Sequence, residues 1–274
     1  MVDRRWISFA AALALGCGPM ADVPESRQDG QWVWSSADSV VLASHRTARF
    51  SPMPGVWVAT IWAPPGGDSL RQTLALPPTT GGQGPVAAVV RFESSLHAWW
   101  AGRRDADVAD QIDRRLKALM ELLDRSGVPI AEIQLDYDCP VRLLPNWARV
   151  LRHLRRSSLA GRSVWVTSLV AHQRDPDFGR RMRGAVDGQI VQLFDTGEEP
   201  GADRLAELAR LLPRQALPFR IGLGAFNRRS RAGITTQQTD WFRSVAEFER
   251  WPGFEGLWVF PAGFEYRRLL GGGG

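Results

Sequence analysis

Two aspartates one residue apart, Asp136 and Asp138, close the run Ala131-Glu132-Ile133-Gln134-Leu135-Asp136-Tyr137-Asp138. Side chains alternate along an extended strand, so Ile133, Leu135 and Tyr137 share an apolar face and Gln134, Asp136 and Asp138 share the opposite, polar one. Two positions along a strand span about 6–7 Å. At that range one ionised carboxylate raises the pKa of the other, which is what a general acid near neutral pH requires. Isolated buried carboxylates are expensive, so two on one inward face at a strand end predict a wet, polar pocket. The alternative without function is that they cap the following helix or pair with Arg91, predicted to share a face with Glu93.

In parallel α/β architectures, function gathers at the carboxyl ends of the strands, where loops vary without disturbing the core. That rule selects Glu93 as a catalytic candidate beside Asp136 and Asp138, with Asp195 as a further carboxylate. Gln192, Asp195 and Asn227 are candidate contacts to ligand hydroxyls. Trp34 and Trp258, on the first and last strands, are expected neighbours in a closed barrel and candidate stacking surfaces, Trp258 as the floor. Trp99-Trp100 falls in the segment after the third strand, where a subsite could form, although any one tryptophan is more often core than platform. No HExxH or paired-cysteine spacing occurs, so neither metal nor cofactor is expected. Gly222-Leu223-Gly224-Ala225-Phe226-Asn227 lacks the third glycine of a dinucleotide loop. Ser168 with His172 imitates half a hydrolytic dyad but has no nucleophile elbow. Cys139 reads as a small apolar filler.

The elements that must position these residues are eight short β-type runs: 31–35, 56–62, 86–93, 131–138, 163–170, 188–195, 219–227 and 256–261. Amphipathic helical patterns lie between the later ones, at 105–125, 144–157, 176–186, 202–212 and 239–250. The first has Ile112, Leu116, Leu119, Met120 and Leu123 at helical spacing and stops at Gly127 and Pro129. Strand and helix alternating in units of about 30 residues imply right-handed crossovers and a parallel sheet. The predicted fold is therefore an α/β (β/α)8 barrel, with an open doubly wound parallel sheet as the alternative. Prolines 52, 54, 64, 65, 77, 78 and 85 with Gly81, Gly82 and Gly84 predict an irregular first third, looped more than helical.

The composition is that of a globular chain: 44% hydrophobic and 23% charged over 274 residues. The net charge of +5 rests almost wholly on arginine, Lys117 being the sole lysine. Those arginines are scattered in short pairs over separate elements, which argues against a nucleic-acid stripe. At the N-terminus Arg4-Arg5 precede an apolar run, Trp6–Leu15, too short to span a bilayer of about 20 helical residues. Leu13-Ala14-Leu15-Gly16-Cys17 resembles a lipobox, making Cys17 the expected lipidation site, and a plain cleaved signal is the alternative. The implied organisation is a signal segment 1–17, a flexible tether 18–30, one barrel domain 31–270 and a glycine tail 271–274. The expected location is the cell envelope, lipid-anchored to a membrane.

Ile133-Gln134-Leu135-Asp136-Tyr137-Asp138-Cys139-Pro140 with Arg142-Leu143, then Trp147, Leu151 and Leu154, resembles the bacterial domain of unknown function 3142 family. Val166-Thr167-Ser168-Leu169 and Val191-Gln192-Leu193-Phe194-Asp195 fit the same family's strands. More distantly, Asp136-Tyr137-Asp138 is similar to the acidic fourth-strand motif of family 18 chitinase-like glycoside hydrolases. The resemblance implies an exported barrel that acts on or binds a polysaccharide or oligosaccharide. In that motif a glutamate two positions after the last aspartate donates the proton. Here that position is Pro140, and the motif's first aspartate falls on Ile133. A non-catalytic glycan-binding protein is accordingly the alternative to a glycoside hydrolase.

Overall fold

In a computed structural model, residues 27–45, 52–82, 84–194, 201–229, 235–263, 265, 266 and 269 are described. Eleven strands follow in order: β1 Gly30–Val33, β2 Met53–Trp62, β3 Arg71–Leu74, β4 Val86–Phe92, β5 Ile130–Tyr137, β6 Val164–Leu169, β7 Gly188–Gln192, β8 Phe219–Gly224, β9 Asn227–Arg229, β10 Thr235–Gln237 and β11 Phe254–Phe260. The helices are α1 Ser36–His45, α2 Ser95–Trp100, α3 Asp105–Arg125, α4 Leu144–Arg155, α5 Val170–Gln173, α6 Phe178–Met182, α7 Ala202–Arg214 and α8 Val245–Phe248.

Eight of the strands pair in parallel, β1-β2-β4-β5-β6-β7-β8-β11, and β11 returns to β1. The sheet is closed, and the protein is a (β/α)8 barrel. β3 is an antiparallel addition to the second half of β2, and β9 with β10 forms a separate antiparallel ribbon. The irregular start expected from the prolines holds between β2 and β4, where β3 and a 3-10 turn at Pro78–Gly81 replace a crossover helix. Between β1 and β2, however, stands α1. Its start is fixed by Ser35 and Asp38: the Asp38 amide donates to Ser35 Oγ (3.3 Å), while Asp38 Oδ2 accepts from the Trp34 amide (3.0 Å). The barrel also takes in residues of the expected tether, since Gly30 lies in β1 and Asp29 Oδ1 accepts the Leu257 amide at 2.8 Å.

Outside the barrel, Ile133, Leu135 and Tyr137 of β5 are buried against the helices, with Tyr137 5.1 Å from Trp147 of α4. Inside, three tryptophans fill the space between the strands. Trp165 projects toward Gly188, Trp258 toward Gly30 and Gly55, and Trp32 toward Gly222; a Cβ at Gly55 or Gly188 would come within 2.4 Å of a ring. Beneath them a charged pair spans the interior: Arg220 of β8 donates to both oxygens of Glu132 of β5 (2.7 and 2.9 Å), and its guanidinium lies 3.6 Å from the Trp165 ring centre.

Candidate functional site at the barrel mouth

The last turns of β4, β5, β6 and β7 converge on a cavity of about 370 Å³ lined by Trp32, Trp34, Arg91, Asp136, Asp138, Leu169, Gln192, Phe194 and Phe260. Register explains the gathering: Asp136 stands opposite Arg91 of β4, and Gln192 is paired to Leu169 at the end of β6. Alternation along β5 sends Gln134 into the barrel below Asp136. There it accepts from Trp32 Nε1 (2.8 Å) and donates to Glu132 (2.8 Å). A hydrogen-bonded column thus runs from the cavity floor to the Glu132–Arg220 pair.

Asp136 Oδ1 accepts from Thr167 Oγ1 (2.9 Å) and Gln192 Nε2 (3.3 Å). Thr167 in turn accepts the Tyr137 amide (3.1 Å), which orients its hydroxyl toward the carboxylate. Burial, then the charge of Asp138, push the Asp136 carboxyl up to about 6 against the pull of Thr167, Arg91 and Gln192. Asp138 is exposed at the rim, and among the described residues no hydrogen bond or ion pair reaches its carboxylate. Arg91 makes no ion pair within the described residues either. Its guanidinium lies 5.1 Å from the Trp34 ring centre, and Trp34 stacks on Trp57 at 5.0 Å. Phe194 and Phe260 stack on each other (5.8 Å) and complete the apolar wall.

Of the candidates from sequence, the structure brings Asp136, Asp138, Gln192 and Trp34 to one cavity. Glu93 is elsewhere. β4 ends at Phe92 and the chain turns into α2, so the alternation that would have kept Glu93 beside Arg91 stops one residue early, leaving Glu93 exposed and off the cavity wall. Trp258 is fully buried one layer below, 5.6 Å from Trp32, and Trp32 forms the floor in its place. Trp34 meets Phe260 (5.7 Å), not Trp258, because β1 is offset so that Gly30 faces Trp258. Asn227 opens β9, since the expected 219–227 strand breaks after Gly224; its side chain, like Asp195 and Cys17, lies outside the described residues.

Trp99 and Trp100 are buried in α2, their indole N–H groups donating to the Gly67 carbonyl (3.0 Å) and to Asp105 (2.9 Å), so they are packing residues and not a subsite. Ser168 is committed to Gln189 and Gln173, and His172 Nε2 contacts the Cys139 carbonyl at 2.7 Å, so no dyad forms. Burial holds the Cys139 thiol up at about 12, consistent with a filler and not a nucleophile. The sequence places Arg91 beside the aspartates only as a pairing partner without function, and it does not mark Trp32, Phe194 or Phe260. The signal for Arg91 was present: it falls on the same face of its strand as the inward Val89.

Among the described residues no group of three or more His, Cys, Asp or Glu side chains is placed to hold a metal ion. Among the described residues the cavity offers a mixed surface: aromatic walls, two carboxylates, one guanidinium and one carboxamide. That is suited to a ligand with both apolar faces and many hydroxyl groups.

No protein-family model matches this sequence, and no curated protein matches it significantly. Solved structures share its fold. A chitinase from Chromobacterium violaceum superposes with a TM-score of 0.61 at 12% identity, over 89% of this chain and 96% of that one. A family 18 chitinase from Crocus vernus gives 0.55 at 9% identity, over 89% and 96%. A xylanase-alpha-amylase inhibitor protein, solved in complex with trehalose, gives 0.53 at 12% identity, over 88% and 95%. The chain thus shares its barrel fold with proteins described as chitinases and with one described as an inhibitor protein.

Proposed function

We propose that this protein binds a saccharide at the mouth of its barrel and does not cleave it by the chitinase mechanism. The observation that carries the reading is the composition of the cavity wall, where Asp136, Asp138, Arg91 and Gln192 face the same space as Trp32, Phe194 and Phe260. Sugar rings present apolar C–H faces to aromatic walls and hydroxyls to carboxylates and amides. Pro140 stands where the chitinase-like motif has its proton donor, and among the described residues no carboxylate besides Asp136 and Asp138 lines the cavity. The trehalose complex of a protein with the same fold is in keeping with binding as a use of this barrel. Titration with a panel of oligosaccharides, followed by prolonged incubation and assay for new reducing ends, tests the proposal. Saturable binding without release is expected, and reducing ends formed at a rate proportional to protein would overturn it.

A second reading, hydrolysis through the aspartate pair, is favoured by one feature: Asp136 is buried beside Asp138, which pushes its carboxyl up to about 6, toward the range a general acid needs. Under it, Asp138→Asn abolishes turnover while the fold persists. Unchanged turnover in that variant would eliminate it. The same proposal includes membership of the domain of unknown function 3142 family and export as a lipoprotein anchored through Cys17. Mass spectrometry of the protein isolated from membranes checks the anchor, a diacylated N-terminal cysteine being the expected species and an unprocessed Met1 the one that refutes it.

A further inference from the structure

Three places in the molecule could meet a ligand or partner. An apolar groove between β3, the turn at Pro78–Gly81 and α3 exposes Leu74 and Leu122, but nothing in the structure says what covers it. The buried Glu132–Arg220 pair is closed to solvent and already hydrogen-bonded to Gln134 and Gln28. The mouth of the barrel, by contrast, holds an electrostatic imbalance that a ligand of a particular kind would remove.

Among the described residues two carboxylates face the cavity against one guanidinium, and that guanidinium lies over Trp34 without forming an ion pair to either. Asp136 spends Oδ1 on Thr167 and Gln192, while Oδ2 has no partner among the described residues. Asp138, two residues on, has none for either oxygen. Like charges this close with no cation in contact repel each other, and the partly enclosed wall strengthens that repulsion relative to water. Among the described residues no group of three or more His, Cys, Asp or Glu side chains is placed to hold a metal ion there. A single ammonium group, with three donors and one charge, does fit, and aromatic rings such as Phe194 and Phe260 favour a cation beside them.

We infer that the saccharide bound in this cavity carries a free amino group, its ammonium placed between Asp136 and Asp138 and its sugar ring against the aromatic wall. This rests on the saccharide-binding reading above and narrows it to de-N-acetylated amino sugars. The net charge of the chain is positive, so a cationic oligosaccharide gains nothing from the surface at large, and attraction would report the cavity.

The experiment is calorimetric titration at pH 6.5 of the full chain with three oligomers of equal length: glucosamine with free amines, its N-acetylated form, and a uronic acid. Tighter binding of the free-amine oligomer, by tenfold or more (about 1.4 kcal/mol), is expected. Asp138→Asn, a substitution at an exposed position checked for a cooperative thermal melt, should bring that ratio close to one. Affinity should also rise between pH 5 and 6.5 as Asp136 ionises, the groups facing it being Asp138 on its own strand, Arg91 on β4, Thr167 on β6 and Gln192 on β7. Equal or tighter binding of the acetylated or uronic oligomer, or an Asp138→Asn variant that keeps the preference, overturns the inference and leaves saccharide binding standing. If none of the three binds, both fall.

Discussion

Asp136 occupies a position where its ionised form is opposed by the fold. Its carboxyl titrates near 6, against an ordinary value of 3.8, because burial and the Asp138 charge outweigh the two hydrogen bonds and the nearby guanidinium. The consequence for stability has a definite sign. Below about pH 3.8 the group is protonated in both folded and unfolded chains and contributes nothing. Between 3.8 and 6 the unfolded chain loses its proton first, so stability falls as pH rises, and above 6 the full penalty persists. Two pKa units correspond to about 3 kcal/mol, and because part of Asp136 reaches the cavity the expected penalty is about 1–3 kcal/mol. Asp136→Asn keeps an acceptor for Thr167 and Gln192 while removing the charge. The variant should therefore be more stable than the parent by that amount at pH 7 and no more stable at pH 3.5. Thermal melts of both proteins across this range decide it: a difference that does not change with pH would show that Asp136 carries no such penalty. A companion change, Thr167→Val, removes the first of the two hydrogen bonds, and a carboxyl resonance followed by NMR should then titrate above 6.

At the scale of elements, the barrel depends on glycines that make way for tryptophans. Gly188 lies under the Trp165 ring and Gly55 under Trp258, each with room for a hydrogen and none for a methyl. Both rings are buried in the barrel interior, so neither can step aside cheaply. Gly188→Ala is expected to destabilise by about 1–3 kcal/mol through overpacking, read as a lower urea midpoint at unchanged slope. Gly201→Ala, where nothing lies within 4 Å of the added Cβ at an exposed position, is the control and should shift it less. How far such elements can be read from residue order depends on whether local pattern or distant packing decides them. α3 and β5 were legible because the rule that builds each, helical spacing of Ile112, Leu116 and Leu119 or strict alternation from Ile133 to Asp138, lies within the element itself. α1 was not, although Ser35 and Asp38 carry the spacing of a capping box; the flanking prolines drew attention to loops. Glu93 and Trp258 were misplaced for a different reason. Where a strand ends, and in which layer of a barrel a ring comes to rest, follow from register with neighbours far away in sequence, as with the offset that sets Gly30 beside Trp258.

The whole molecule is tied across its interior as well as around its wall. β5 and β8 are separated by two strands in the sheet, yet Glu132 and Arg220 meet inside it, and Gln28 at the start of the described chain accepts from the same guanidinium at 2.8 Å. Above them Gln134 links Glu132 to Trp32, so a continuous polar column joins the base of the barrel to the floor of the cavity. Taking these charges out of water is costly, and the mutual attraction of a well-formed pair roughly offsets that cost, whereas removing one partner leaves a bare charge in the core. Glu132→Ala should therefore destabilise by about 3–5 kcal/mol, since Arg220 has no route to solvent and its Nε is already without a partner. Replacing both together, Glu132→Leu with Arg220→Met, should recover most of that loss. The parent, Glu132→Leu, Arg220→Met and the double variant form a double-mutant cycle measured by urea denaturation. If the losses simply add, the pair is not coupled and the column is a chance alignment. If the double variant is as stable as the parent but its oligosaccharide affinity has dropped, the column acts on the site, because releasing Gln134 lets the Trp32 floor shift beneath the bound ring.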